Sequence, residues 1–587
     1  MSAEVDRSSE DLTVTPPPSA PPATPSSHAD STGPAAATGR DTDLITSLRS
    51  LRALGRFEDA AALVRAADAG LTARTMTAEA HAAAGPALAA VSEYAAAGVH
   101  LLLASMDPTL APDALGQLAQ LAWIEHDYPR GRAFALAGLA LDPSHRTCRI
   151  QLQRNENERS LTRGVGSGSA LGRPAGGAGL AHAAFFADRQ GNAGDRVLTD
   201  AVRRCFTGAP ALTGGSGSAT ATDADSDQAN WYDIHVHQLF DERRLAAVNA
   251  TDGLIVGGGG LFLPDTAPNG NSGWQWNIAD DVLARITVPL VVFAVGYNMF
   301  EGQSFEGQTA AGQNFEGTTD GVDGAGGRFA RSLRALVERS TFVGLRNHGS
   351  VDRVRELLPG PLADRIGWQP CPTAITDLLA DPPGRIELPG TGTEPGDVLL
   401  NCAYDRAGRR FGDDYGTFLG QLRDWLVSTR EQADVRYVAH CVDDERFVSD
   451  LRREHGITLP VIAMYNLTPA QIHEHYRQAR LVVGMRGHAG MIPFGCGTPI
   501  ISLISHPKLG YFLDDIDRPH WGVRVRDPQL APQLAELTTE LLDNGPAVAA
   551  DIAAIQLRLA AVTAQNLRSL PASLQPARRL GQDKTSE

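Results

Sequence analysis

The 587-residue sequence is short of cysteine, of aromatic residues and of positive charge, and it has no long apolar run. Its six cysteines (Cys148, Cys205, Cys371, Cys402, Cys441 and Cys496) are scattered without a C-x-x-C pair. That spacing excludes a disulfide framework and a cysteine-based zinc site, and it reads as buried free thiols in a reducing compartment. The net charge of −16 excludes a general nucleic-acid-binding surface. A basic pocket in so acidic a chain would hold a small anionic ligand. No apolar h-region follows the N-terminus, so no signal peptide is expected. The longest apolar run, residues 286–297, is short of the ~18 residues that a membrane span needs. The expectation is a cytoplasmic protein with no membrane span.

Hydrophobic content of 43% allows a large core, and at about 150 residues per domain the length suits three or four domains. Residues 1–44 are rich in Pro, Ser, Ala and Asp, and too little apolar surface predicts disorder. From 45 to 152, Leu51, Leu54, Phe57, Ala60 and Leu63 recur at helical spacing. Tyr94 and Tyr128 lie 34 residues apart, and Asp107-Pro108 and Asp142-Pro143 repeat at nearly the same distance. In period and helix ends this segment resembles tetratricopeptide (TPR-like) repeats; an ordinary helical bundle is the alternative. A solenoid would suggest a protein partner or self-association. Residues 153–180, rich in Gly, Ser and Ala, read as a flexible linker, which predicts a separable helical region.

An α/β pattern then fills 181–380. A strand over 181–187 leads into Gly191, Asn192, Gly194 and Asp195, a glycine-rich turn in which Asp195 is placed to cap the following helix. Asp233, His235 and His237 share one strand face, but ligand identity alone is weak ground for a metal site, and no metal is expected. A buried strand over 251–256 runs into Gly257–Gly260, where Gly258, Gly259 and Gly260 expose backbone to a ligand or to close packing. Residues 300–327 repeat Phe-Glu-Gly and read as a mobile insertion. Arg346 ends the strand 341–345. Residues 381–396 read as an interdomain linker, 397–545 as a second α/β unit, and 546–587 as a long helix and polar tail.

The most informative stretch is 476–508. Leu481-Val482-Val483 is a short buried strand, residues 489–496 a helix, and Pro499–Leu503 a second strand, a βαβ unit. Arg486, His488, His506 and Lys508 lie just past strand ends, where open parallel sheets bind ligands. Cationic groups beside helix-opening N–H groups suit an anion. The bland alternative is an ion-pair role for Arg486 and a helix-start role for His488.

The run ARLVVGMRGHAGMIPFGCGTPIISL, closed by Lys508, resembles the signature of the polysaccharide pyruvyl transferase family. The G-N-x-G-D turn at 191–195, the glycine-ended strand at 257–260 and the Arg346-Asn347-His348-Gly349-Ser350 segment are similar to its other motifs. Pro370-Cys371-Pro372-Thr373 departs from the family's Asp-Pro. The resemblance spans about 181–520 and implies two Rossmann-like domains facing across a cleft (GT-B-like), with the donor site in the second. It implies transfer of the enolpyruvyl group of phosphoenolpyruvate onto a sugar as a ketal, with no cofactor. On that basis His488 and Arg486 are the expected catalytic pair. Arg486, Lys508, Arg346 and His506 are expected to bind the donor, and Asn192, Asp195 and the glycine loops to line the acceptor side. One rival reading is a GT-B glycosyltransferase using a nucleotide sugar, though 490–508 carries no Asp or Glu to grip one. The other is a non-catalytic scaffold built on the helical repeat.

Overall fold

The structure, a computed structural model, describes residues 34–70, 76–164, 179–187, 191–207, 209, 212, 231–300, 305, 326–379 and 396–575. Most of the expected disordered start, the glycine-rich part of the first linker, nearly all of the Phe-Glu-Gly insertion, the second linker and the end of the tail lie outside these residues.

Seven helices open the chain: α1 (Pro34–Ala53), α2 (Phe57–Gly70), α3 (Ala78–Ala89), α4 (Tyr94–Ala104), α5 (Ala111–Ile124), α6 (Tyr128–Leu141) and α7 (Arg146–Gly164). They pack on sequence neighbours around Leu48, Ala60, Leu88, Ala97, Leu101 and Leu118. Tyr94 and Tyr128 each begin a helix, so their 34-residue spacing marks equivalent positions in successive pairs. Helix α1 begins inside the stretch expected to be disordered, and α7 continues into the stretch read as linker.

This helical region docks on the α/β body. Gln238 Nε2 donates to the Trp123 carbonyl at 3.0 Å, and Asn277 Nδ2 to the Tyr94 hydroxyl at 2.7 Å. The Leu239 carbonyl meets His126 Nε2 at 2.8 Å, and the Gly270 N–H donates to Ser92 Oγ at 2.8 Å. A Cβ on Gly270 would sit 2.0 Å from the Val91 carbonyl, so only glycine allows this approach. Buried polar groups satisfied across a junction are costly to expose, which argues against the separable helical region expected from the linker.

Two six-stranded parallel sheets follow. The first holds β1 (Leu180–Ala184), β2 (Trp231–His235), β3 (Gly253–Phe262), β4 (Leu290–Tyr297), β5 (Phe342–Leu345) and β6 (Ile366–Trp368) in the order β2-β1-β3-β4-β5-β6. The second holds β7 (Val398–Asn401), β8 (Val435–Ala439), β9 (Val461–Ala463), β10 (Leu481–Gly484), β11 (Ile500–Ile504) and β12 (Gly522–Arg524) in the order β12-β11-β10-β7-β8-β9. Both are doubly wound, and their order reverses at β1/β3 and at β7/β10, where ligands enter such sheets. The strands are buried apolar runs, as parallel sheets covered on both faces require.

The two domains are pressed together. One hydrophobic cluster runs from Val197 and Phe206 of the first to Ile492 and Phe494 of the second. A Cβ on Gly495 would fall 1.9 Å from the Thr373 carbonyl. The C-terminal helix Gly545–Ser569 returns to the first domain, where Asn566 Nδ2 donates to the Trp368 carbonyl at 2.8 Å and Gln369 Nε2 to Thr563 Oγ1 at 3.1 Å. Among the described residues it alone is long and apolar enough to cross a membrane by length and composition. Here Ile552, Leu559 and Leu567 are buried against protein.

Candidate functional site

The carboxyl ends of the two sheets face each other, and charged side chains gather between them. From the first domain comes Arg346, directly after β5. Its approach requires Gly296 at the end of β4, because a Cβ there would lie 2.2 Å from Arg346 Nε. Arg346 is 5% exposed, and its Nε and Nη2 have no hydrogen-bond partner. An unpaired buried guanidinium is costly, and its place in a cleft suits an anion.

The first domain also supplies α8 (Ala193–Phe206). Asn192 caps it, accepting from the Gly194 N–H at 2.9 Å. The expected cap, Asp195, is the third residue of the helix, in its first turn. The helix begins earlier than its apolar pattern suggested, which frees the Asp195 carboxylate to face the cleft. Gly194 abuts His488, since a Cβ would stand 2.5 Å from the His488 Cβ. Asp195 Oδ1 lies 3.9 Å from His488 Nδ1. The glycine-rich turn and the R-x-H segment, nearly 300 residues apart in the chain, therefore meet.

The second domain places Arg486 and His488 at the start of the helix Gly487–Gly495, beyond β10, and His506 and Lys508 at the start of the helix Pro507–Asp515, beyond β11. His506 caps the latter, Nδ1 accepting from the Lys508 N–H at 3.3 Å, and its ring lies 4.3 Å from Phe300. His488 Nε2 is buried without a partner, while the other His506 nitrogen faces the Asn298 backbone.

Arg486 is engaged. Its Nε and Nη2 donate to the Asp444 carboxylate at 2.9 and 2.6 Å, and Nη2 lies 2.6 Å from Asp405 Oδ1. Asp444 also accepts from the His440 and Cys441 N–H groups at 3.0 and 3.2 Å. Arg410 completes the cluster, with Nη2 3.1 Å from Asp405 Oδ2 and Nη1 2.9 Å from Ser505 Oγ. Sequence reading missed Asp405, Arg410 and Asp444. The signal was positional: all three follow the ends of β7 and β8, on the cleft side. His348 pairs with Asp515 at 2.8 Å across the domain boundary.

The glycines after β1 and in β3 divide. Gly191 precedes the Asn192 cap and Gly194 admits His488. Strand β3 runs through Gly257–Gly260 instead of ending before them. A Cβ on Gly257 would be 2.0 Å from the Phe293 carbonyl, and one on Gly258 would strike Leu198 at 2.8 Å. Gly258 and Gly259 are buried under α8, and only Gly260 is partly open to the cleft. The cradle of exposed backbone expected there is corrected to close packing, because parallel strands under a helix leave no room for Cβ atoms. Nor do Asp233, His235 and His237 converge: Asp233 pairs with Arg203, while the two histidine rings lie 5.3 and 5.1 Å from Phe185. Among the described residues no group of three His, Cys, Asp or Glu could hold a metal ion.

Electrostatics follow from burial. Burial, then the nearby Arg346, His440 and Lys508, push His488 well below its ordinary value, which favours the neutral ring. Burial, then Arg346 and Arg410, hold Lys508 well below its ordinary value. Burial raises Asp195 to about 6, with Lys508, Arg486 and Arg346 pulling the other way. Burial alone would raise Asp405, but Arg486 and Arg410 hold it below the usual carboxylate range. The cleft thus has two halves: a paired network of Arg486, Asp444, Asp405 and Arg410, and beside it the unpaired Arg346 with Lys508, His488 and His506. The second half can bind a small anion carrying more than one negative charge.

No curated protein matches the sequence. Among solved structures, a mutant O-GlcNAc transferase of Thermobaculum terrenum is similar at 13% identity and TM-score 0.37, covering 93% of this chain and 99% of that one. The UDP-GlcNAc 2-epimerase of Neisseria meningitidis aligns at 9% identity and TM-score 0.35 over 67% of this chain and 100% of that one. The wall teichoic acid polymerase TagF aligns at 10% and 0.34 over 74% and 96%. The polysaccharide pyruvyl transferase pattern matches residues 216–507, a span from before β2 to the helix that carries Lys508. Through that span the chain belongs to the polysaccharide pyruvyl transferase family.

Proposed function

We propose that the protein transfers the enolpyruvyl group of phosphoenolpyruvate to two hydroxyls of one sugar in a glycan, forming a cyclic ketal and releasing phosphate. The observation that carries this reading is Arg346, buried and unpartnered at Nε and Nη2 opposite Lys508 and His506. A guanidinium fork matches a carboxylate or phosphate, and phosphoenolpyruvate carries both on adjacent atoms. Arg346 takes one, and Lys508 takes the other. The Arg486 network holds the walls of this site, because a guanidinium committed to two carboxylates is not free to move toward a ligand.

The surroundings of His488 favour its neutral ring. A multiply charged donor reverses the local field and raises its proton affinity, so the donor's own charge loads the acid. His488 then protonates the methylene carbon, and the central carbon develops positive charge. Asp195, ionised above pH about 6, takes the proton of the attacking hydroxyl. The first C–O bond forms as the C–O bond to phosphate breaks, and the second hydroxyl closes the ring. Of the two hydroxyl protons, one balances the new methyl group and the other leaves with phosphate. Family membership makes the glycan acceptor the natural partner of the acidic Asp195 side.

Mass spectrometry of neutral glycans incubated with phosphoenolpyruvate tests the reading. It expects a gain of one pyruvate as ketal with one phosphate released. Phosphate release without glycan modification, or glycan extension from a nucleotide sugar, would contradict it.

A further inference from the structure

The second sheet reverses its strand order at β7/β10, and a doubly wound sheet takes its ligand in the crevice at such a point. In this protein a side chain from the other domain stands there. Strand β4 ends at Tyr297, and the chain runs on through Asn298 and Met299 to Phe300. The Asn298 N–H donates to the Phe262 carbonyl at 3.0 Å, and the Asn298 backbone hydrogen-bonds the His506 ring, so this stretch is tied to both domains. The Phe300 ring, 6% exposed, lies 4.3 Å from the His506 ring. The guanidinium carbons of Arg406 and Arg410, both just past β7, stand over it at 5.5 and 5.4 Å. Both guanidiniums are engaged. Arg410 donates to Ser505 and to the Asp405 carbonyl and carboxylate. Arg406 reaches back to Asp265 and Thr266 of the first domain. It does so from φ +58°, a conformation that a non-glycine residue keeps only where its surroundings impose it. Phe300 borders the anion site, because His506 touches its ring and shares a helix start with Lys508.

We propose that Phe300 is a specificity-determining residue of the donor site: its ring occupies the place that a larger ligand needs, so the site takes a compact phosphate ester and rejects one that carries a ring, nucleotides among them. Arginine faces stack on planar rings. Without Phe300, the faces of Arg406 and Arg410 would receive a phenyl ring or a nucleobase while its phosphate lay on Arg346 and Lys508. With Phe300 in place, such a ring meets a side chain already seated there. Selection of this kind works by a clash with the wrong ligand as much as by contact with the right one. The first domain thus supplies both the anion-binding Arg346 and the side chain that limits the size of the ligand.

The inference rests on the reading of Arg346 and Lys508 as an anion site. Its test is calorimetric titration of phenyl phosphate, inorganic phosphate and phosphoenolpyruvate into the full chain, Phe300→Ala and Phe300→Leu. Phenyl phosphate brings back the ring that Phe300→Ala removes. Phe300→Leu keeps an apolar contact, shortens the wall, and is read in its place if Phe300→Ala does not fold. The expected result is phenyl phosphate bound at least about tenfold tighter by Phe300→Ala than by wild type, the scale of one newly buried ring. A smaller gain is expected in Phe300→Leu, with inorganic phosphate bound alike by all three. Phenyl phosphate bound no tighter by the folded variant, or an equal gain for inorganic phosphate, overturns the proposal. Phosphoenolpyruvate keeps the two readings apart. A wild-type chain that ignores phosphoenolpyruvate removes the proposed donor, while a selective gain of phenyl phosphate in the variant still upholds the wall. Phosphoenolpyruvate bound by every protein without that gain removes the wall alone.

Discussion

Two arginines that look alike in the sequence have opposite surroundings. Arg486 sits in a closed network with Asp444 and Asp405, whereas Arg346 is buried and unpartnered at Nε and Nη2. Removing one member of a buried pair costs about 3–5 kcal/mol by leaving the other uncompensated. Arg486→Met should therefore lower the melting temperature sharply, while Arg346→Met leaves it unchanged or raises it and abolishes donor binding. Equal destabilisation by both would contradict the division. Asp195 gives a pH signature. Its folded value, about 6, lies above the ~3.9 of an unfolded aspartate. Its ionisation therefore costs the folded state as pH rises through that window. Asp195→Asn should raise the melting temperature at pH 8, match wild type below about pH 4, and lose turnover. As the acceptor-side base, Asp195 should also give kcat/KM an acid limb near 6. His488→Gln should bind donor nearly normally with turnover down roughly a hundredfold or more. A profile flat through pH 6, or full turnover in His488→Gln, would remove the respective assignment. At this scale the sequence was legible where a motif sits at a strand end: His488, His506, Lys508 and Arg346 do share one cleft. It was silent on which cations are already paired, because Asp405 and Asp444 arrive from other loops with no motif of their own.

At the scale of elements, periodicity and caps read well and glycines read poorly. Thr468 caps the helix Pro469–Gln478, with Gln471 answering in a capping box. The strands β10 and β11 and the helix between them were visible as a βαβ unit. Gly257–Gly260, in contrast, belong inside β3; a run without Cβ atoms looks alike whether ligand or helix lies above it. The docking of the helical region was hidden for a related reason. Gln238, Asn277 and Gly270 are ordinary loop residues in sequence, and only the fold sets them against Trp123, Tyr94 and Val91. A chain shortened to begin at residue 179 should consequently be insoluble or melt well below the full chain. A soluble, fully stable product would show that the junction contributes little.

Over the whole molecule, two doubly wound sheets are held with their carboxyl ends together by a shared core, the returning C-terminal helix and interdomain ion pairs such as Arg406–Asp265 and Arg477–Asp377. The cleft between them holds a buried guanidinium, Arg346, unpartnered at Nε and Nη2, inside a chain of net charge −16, and its readiness for an anion is the central physical claim. Calorimetric titration of phosphoenolpyruvate into the full chain and into Arg346→Gln tests it most directly, with a UDP-sugar as the competing ligand. The account predicts saturable binding of phosphoenolpyruvate by the full chain. It predicts at least about thirtyfold weaker binding by Arg346→Gln, the scale of a lost buried charge pair. A full chain that binds the UDP-sugar and ignores phosphoenolpyruvate, or an Arg346→Gln variant that binds phosphoenolpyruvate as tightly as wild type, would contradict it.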